Sequence, residues 1–228
     1  MNDEIDKMIE ENQCLLCSDF LNCLSLKNRN FPCSRHNDKE TNESKSILKS
    51  KIVIIINGKG GVGKDTLCDF AREVYSTKVI SSITPIKEIA SIIFKKFGYK
   101  EAKGDKERRL LSDLKDAFTK YDDIPFKYIM NELNSFYHSD DDLIFVHVRE
   151  PEEIGRLKKF VEDIMKLPCI TLLVKRGDDE KSYGNHADDN VFNYNYDVVF
   201  YNNDTLFKAK EEFCDMLLRL FKEKEVID

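Results

Sequence analysis

Nine residues, Gly58-Lys59-Gly60-Gly61-Val62-Gly63-Lys64-Asp65-Thr66, constrain this chain more than any others. Ahead of them runs Ile52-Val53-Ile54-Ile55-Ile56-Asn57, an apolar, β-branched stretch of the kind a fully buried parallel strand requires. Behind them Leu67, Phe70, Ala71 and Val74 fall at helical spacing. A strand, a glycine-rich turn and a helix start in that order make a phosphate-binding loop. The glycines let successive backbone N–H groups turn toward one anion, and the helix dipole adds partial positive charge at the same point. In the pattern G-x-x-x-x-G-K-[ST], Lys64 would reach the β- and γ-phosphates of a nucleoside triphosphate. One position departs from it: Asp65 stands where Ser or Thr is expected, with Thr66 one residue late.

A chain of 228 residues with 41% apolar side chains has room for one α/β domain and a small appendage. After the loop and its helix, Lys78 to Ser82 reads as a second short strand, and Pro85 opens a helix that runs to about Phe97 and ends at Gly98. Lys87, in the first turn, is either a substrate-phosphate contact or an exposed lysine. From Gly104 to Lys120, the residues Leu110, Leu111, Leu114, Ala117 and Phe118 form a helical stripe, with Arg108 and Arg109 at its start. Cations there oppose the macrodipole unless an anion lies opposite them. A helix from about Pro125 to Tyr137 completes a helical insertion before the third strand, Leu143 to Val148.

That strand exits through Arg149 into Glu150-Pro151-Glu152-Glu153, which opens a helix. Arg149 falls at the carboxyl end of the sheet, where open α/β folds bind ligands; its alternative is an ion pair with Glu150 or Glu153. His147 occupies the place where phosphate-loop enzymes carry a magnesium-binding Asp, and reads as a satisfied strand histidine rather than a base. Cys169 to Val174 is the fourth strand, with Cys169 in the core. Lys175 and Arg176 lead into a polar stretch from Gly177 to Asn195, a lid or a long surface loop. A fifth strand, Asp197 to Tyr201, and a helix from Thr205 to about Lys222 close the domain.

Residues 1–48 differ in character. They are polar and hold Cys14-x2-Cys17 and Cys33-x2-His36, a spacing near that of a structural zinc module, with Cys23 left over or standing in for His36. A tail with free thiols is the alternative. The linker-like composition up to Ser50 puts the domain boundary here, with the main domain spanning 49–228. A net charge of −6 disfavours general affinity for nucleic acid or anionic membrane. No apolar run approaches ~18 residues, and Met1-Asn2-Asp3-Glu4 is no signal peptide, so a cytoplasmic protein is expected.

Alternating strands and helices with the loop on the first strand predict an α/β, three-layer α/β/α P-loop NTPase fold on a five-stranded parallel sheet. The loop with Asp65 after its lysine resembles that of the deoxynucleoside monophosphate kinases and the animal-type phosphomevalonate kinases. The Arg108-Arg109-Leu110-Leu111-Ser112-Asp113-Leu114-Lys115 segment, Val148-Arg149 and the run from Tyr196 to Leu206 are similar to this family too. The resemblance implies ATP and Mg²⁺, with the loop from Gly58 to Thr66 on the ATP phosphates and Asp65 and Thr66 toward the metal. It implies an acceptor phosphate held by Arg108, Arg109 and Arg149, and Lys175 and Arg176 brought in with the lid. The acceptor is then a small phosphorylated molecule, a nucleoside monophosphate first among them, and a homodimer is left open. Two other readings stand beside it: a deviant-loop ATPase of the partition and septum-site type, in which Lys59 reaches a partner's nucleotide, and a nucleotide sensor without turnover.

Overall fold

The computed structural model describes residues 48–99, 104–177 and 190–227. The expected zinc ligands Cys14, Cys17, Cys33 and His36 lie outside them, as do His186, Asp188 and Asp189 of the expected lid.

In chain order the elements are β1 (Ile52–Asn57), α1 (Lys64–Arg72), β2 (Thr77–Ser81), α2 (Thr84–Lys96), α3 (Asp105–Asp122), α4 (Ile124–Tyr137), β3 (Leu143–His147), α5 (Pro151–Lys159), β4 (Cys169–Lys175), β5 (Val198–Tyr201) and α6 (Leu206–Glu223). The strands form one parallel sheet in the order β2-β3-β1-β4-β5. The chain steps outward from β1 to β2, returns to β3 and then crosses to β4 on the far side of β1. That reversal leaves a crevice at the carboxyl ends of the central strands, the place such sheets bind ligands.

Continuous apolar runs form these strands because both faces are covered. Val53 and Ile55 of β1 point into a core shared with Phe126, Met130 and Leu133 of α4 and Ile154 and Leu157 of α5. Ile52, Ile54 and Ile56 point the other way, against Leu67 and Phe70 of α1 and Phe213 and Leu217 of α6. The α/β, three-layer architecture expected from the sequence is the one observed. Each of these buried side chains contributes roughly 1.5–3 kcal/mol by leaving water. Pro125 and Pro151 sit in the first turns of α4 and α5, where a missing N–H costs nothing. The end of α5 widens into a π-helical turn, Phe160–Ile164, whose buried Phe160, Val161 and Ile164 seal the lower core.

Leu48 is already buried in the second core, and Lys49 N–H donates to Val226 O, so the described chain is anchored from its first residue. Helix α3 differs from the expected apolar stripe. Leu111, Leu114 and Phe118 are only half-buried, Leu110 and Ala117 are exposed, and the buried side chain described in this helix is Lys115. Among the described residues no helix is long and apolar enough to cross a membrane.

Candidate functional site

Asn57, the last residue of β1, is fully buried and acts as a junction. Its Oδ1 accepts from Gly58 N–H at 2.8 Å, while its Nδ2 donates to Arg149 O at 3.0 Å and to Tyr196 Oη at 2.7 Å. Tyr196 passes the link on, donating to Val191 O at 2.8 Å. Burial pushes the Tyr196 hydroxyl up to about 12, against the Asn57 hydrogen bond, so it remains a neutral donor. One side chain thereby fixes the root of the loop, the exit from β3 and the segment before β5.

The loop then turns on glycines at left-handed angles. Gly58 has φ +147°, and a Cβ there would lie 2.4 Å from Val174 O of β4. Gly63 has φ +96° and caps α1; a Cβ there would lie 2.4 Å from Asn202 Nδ2. That amide, just past β5, donates to Val62 O at 2.8 Å and braces the loop from below. At Gly60 and Gly61 a Cβ would meet no atom within 4 Å, so the crown of the loop opens outward. Gly63 brings no side chain to the first turn of α1, which leaves the helix start to an anion. Lys64 Nζ folds back to donate to Gly58 O at 2.5 Å and Lys59 O at 2.8 Å, so the ammonium spans the loop. Lys59 is 9% exposed; its Nζ lies 5.2 Å from the Phe192 ring centroid, with Lys175 Nζ at 4.6 Å from the same ring.

His147 ends β3 beside this loop, in register with Ile56 of β1. It faces α1, with Nε2 3.7 Å from Cys68 Sγ and 3.9 Å from Asp65 Oδ1. Burial lowers its pKa to about 4; Asp65 opposes this, while the cations Lys64, Arg149 and Lys87 add to it. Four sequence-predicted residues therefore converge electrostatically on this imidazole, which is neutral at ordinary pH. Cys68 is a buried thiol whose pKa burial raises far above its usual range, so the pair carries no thiolate.

Most of the remaining expected residues are exposed. Arg108 and Arg109 are exposed on the first turns of α3. Arg176 is exposed after β4, and Gly177 N–H donates to Asn203 Oδ1 at 2.7 Å, tying this exit to the β5 turn. Glu150 and Glu153, the expected alternative partners of Arg149, are occupied by Lys115, whose Nζ lies 2.5 Å and 3.0 Å from them. Asp65 projects into solvent with its side chain 96% exposed, and Thr66 is half-buried behind it. These are hard oxygen donors on one helix turn, which suits magnesium held by one carboxylate, a hydroxyl and phosphate oxygens. Among the described residues no three His, Cys, Asp or Glu side chains gather into a metal cluster of their own.

Sequence reasoning missed Asn57, Asn202, Phe192 and Lys115. An Asn closing a run of buried β-branched residues was a legible anomaly, since a buried amide must be satisfied. The other three depend on contacts at long sequence separation.

No family model matches the chain, and no curated protein sequence matches it. Among solved structures, an APS kinase from Mycobacterium tuberculosis is 13% identical, with 74% of this chain and 97% of that one covered at a TM-score of 0.36. A shikimate kinase from Aquifex aeolicus is 12% identical, covering 73% and 95%, at 0.41. A gluconokinase from Sinorhizobium meliloti is 11% identical, covering 78% and 96%, at 0.40. Likenesses at this level add nothing to the sheet order and loop geometry described above.

Proposed function

We propose that this chain transfers the γ-phosphoryl group of ATP to a small phosphorylated acceptor, with a nucleoside monophosphate as the acceptor class. The observation that carries the reading is the loop from Gly58 to Thr66. Its crown is open at Gly60 and Gly61, its helix start is uncapped by any side chain, and a lysine ammonium is stationed across it.

Loop amides and Lys64 would hold the donor phosphates, Lys64 exchanging two carbonyl oxygens for phosphate oxygens. Asp65 and Thr66 would hold magnesium, which supplies charge neutralisation on the phosphates when bound. Arg149, whose carbonyl oxygen accepts from Asn57, would hold the acceptor phosphate. Lys87 adds charge from the first turn of α2. Arg108 and Arg109 near the start of α3 would add to it, and Lys175 and Arg176 would approach from the β4 exit. A phosphate acceptor is already ionised, so positioning and electrostatics suffice, and a neutral His147 is no obstacle.

Two details speak against the deviant-loop ATPase. Lys59 is buried against Phe192 of its own chain rather than reaching outward. The carboxyl end of β2 carries Ser81 and Ser82, where that class needs a metal-binding carboxylate. The test is ADP release with ATP, Mg²⁺ and a panel of ribo- and deoxynucleoside monophosphates. Acceptor-dependent ADP and a phosphorylated product are expected. Tight ATP binding with no product from any acceptor would favour the sensor instead.

A further inference from the structure

Helix α3 borders the crevice without an apolar stripe sunk in the core, so something else must hold it. Its buried Lys115, 8% exposed at the side chain, reaches across to the turn that follows β3. Lys115 Nζ lies 2.5 Å from Glu150 Oε2, a charge contact without hydrogen-bond alignment, and donates to Glu153 Oε2 at 3.0 Å. The carboxyl groups of Glu150 and Glu153 thus share one ammonium. Two ionised carboxylates against one ammonium would leave a net negative charge shielded from water, which favours a proton on one of them. With it the cluster is neutral; without it one buried ammonium faces two half-buried anions. Glu150 is the neighbour of Arg149, so the far end of the cluster is the turn that carries the arginine.

We propose that Lys115, Glu150 and Glu153 form a proton-bearing clamp that holds α3 against the Arg149 turn, which makes Lys115 a positioning residue for the acceptor side of the crevice. The consequence for the acceptor rests on the phosphotransfer reading; the clamp itself does not.

The charges around the cluster fix the sign. Burial, and then the charge of Glu150, push the Glu153 carboxyl up to about 7 against the pull of Lys115. At Glu150 burial pulls upward too, but the charge of Lys115 outweighs it and holds the group below its ordinary value. The two titrate as a pair that keeps one proton near neutrality. One turn along α5, Arg156 is taken up by Asp123 at 2.5 Å, and its guanidinium stacks 3.9 Å from the Phe126 centroid. Glu152 on α5 and Asp113 and Asp116 on α3 are exposed, and Arg149 lies half-buried beside the cluster. Raising the pH from about 4.5 toward neutrality draws off the shared proton, sets two anions side by side and loosens the clamp.

Hydrogen exchange of the full chain, corrected for intrinsic rates, tests this without any ligand. In the wild type, exchange over residues 105–122 should rise several-fold between about pH 5 and about pH 7.5, bounded by roughly tenfold per unit for a single proton. Glu153→Gln, which keeps a neutral donor, should flatten that dependence. Lys115→Met should raise exchange in α3 at both pH values while β1 and β4 keep their protection, and Lys115→Arg should restore much of it. A flat wild-type profile, or a Lys115→Met effect as large in β1 and β4 as in α3, would overturn the clamp. ADP release on the same samples separates the two proposals. With a turned-over monophosphate, Lys115→Met should raise the acceptor KM roughly tenfold and leave the ATP KM within about twofold; equal acceptor KM values would overturn the positioning role alone. A pH-dependent clamp without turnover on any monophosphate would overturn the phosphotransfer reading alone.

Discussion

The two sides of the crevice are built from different materials. The loop side, β1 to α1, is main chain: amides, carbonyls and left-handed glycines, braced by Asn57 and Asn202. The opposite side, α3 to the β3 exit, is held by side-chain charge, through Lys115 with Glu150 and Glu153 and through Asp123 with Arg156. A backbone cradle fits a ligand part that never varies, such as a triphosphate tail. A cleft wall held by ion clusters can change residue by residue, and it answers to pH in a way that amides cannot.

The sharpest way to break this contrast is on the loop side. Lys64→Ala should lower phosphotransfer by roughly 10²–10³-fold or more, read as ADP release, while the melting temperature stays near that of the wild type. Full turnover in that variant would take the loop out of the mechanism. On the opposite side, Arg149→Ala should lower kcat/KM for the acceptor by about 10–10²-fold with ATP affinity little changed. Equal loss of ATP binding would assign Arg149 to the donor and erase the distinction between the two walls.

Smaller effects sharpen the comparison through stability. Gly63→Ala combines a left-handed φ with a Cβ driven into Asn202, and should cost about 1–3 kcal/mol in denaturant unfolding. An unchanged midpoint would mean the loop is less tightly braced than its contacts indicate. His147 and Glu153 should pull stability in opposite directions. The His147 pKa is depressed from 6.5 to about 4, so the folded state binds fewer protons than the unfolded one between them, and stability is lost as pH falls through that window. Glu153 is raised from 4.5 to about 7, so its contribution is complete below 4.5 and is lost as pH rises toward 7. His147→Asn should therefore flatten the acid limb of the stability profile and leave the neutral limb in place; a variant whose acid limb matches the wild type would show that the imidazole is not buried as described. The least effect belongs to the exposed Asp69–Arg72 pair on α1, where Arg72→Ala should cost no more than about 0.5 kcal/mol.

Much of the fold was legible in the sequence because its signals are local. The run Ile52–Ile56 announces a strand covered on both faces, and Pro85, Pro125 and Pro151 mark helix starts that the structure keeps within a residue. Helix α3 was the misreading. Leu110, Leu111, Leu114, Ala117 and Phe118 have helical spacing, yet the helix turns Lys115 to the interior, because the surface it meets carries two carboxyl groups. Periodicity tells which residues share a face, not what that face will meet. Arg149 shows the same limit: its position at the end of β3 was readable, whereas the capture of Glu150 and Glu153 by a lysine 35 and 38 residues upstream was not.

What the chain fixes by itself is whatever depends on φ, ψ and neighbours a few positions apart: a buried strand, a glycine turn, a helix start and a lysine at the right step, hence a phosphate-sized cradle of amides. What only the folded molecule decides is which charges face one another across the crevice. Asn57 reaching Arg149 and Tyr196, His147 left neutral amid Lys64, Lys87 and Arg149, and Lys115 sunk between two glutamates all arise when the sheet order brings distant segments together. The physical reason is range. Backbone preferences act over one turn of chain, whereas desolvation and Coulomb forces act through space and take their values only after packing has excluded the water.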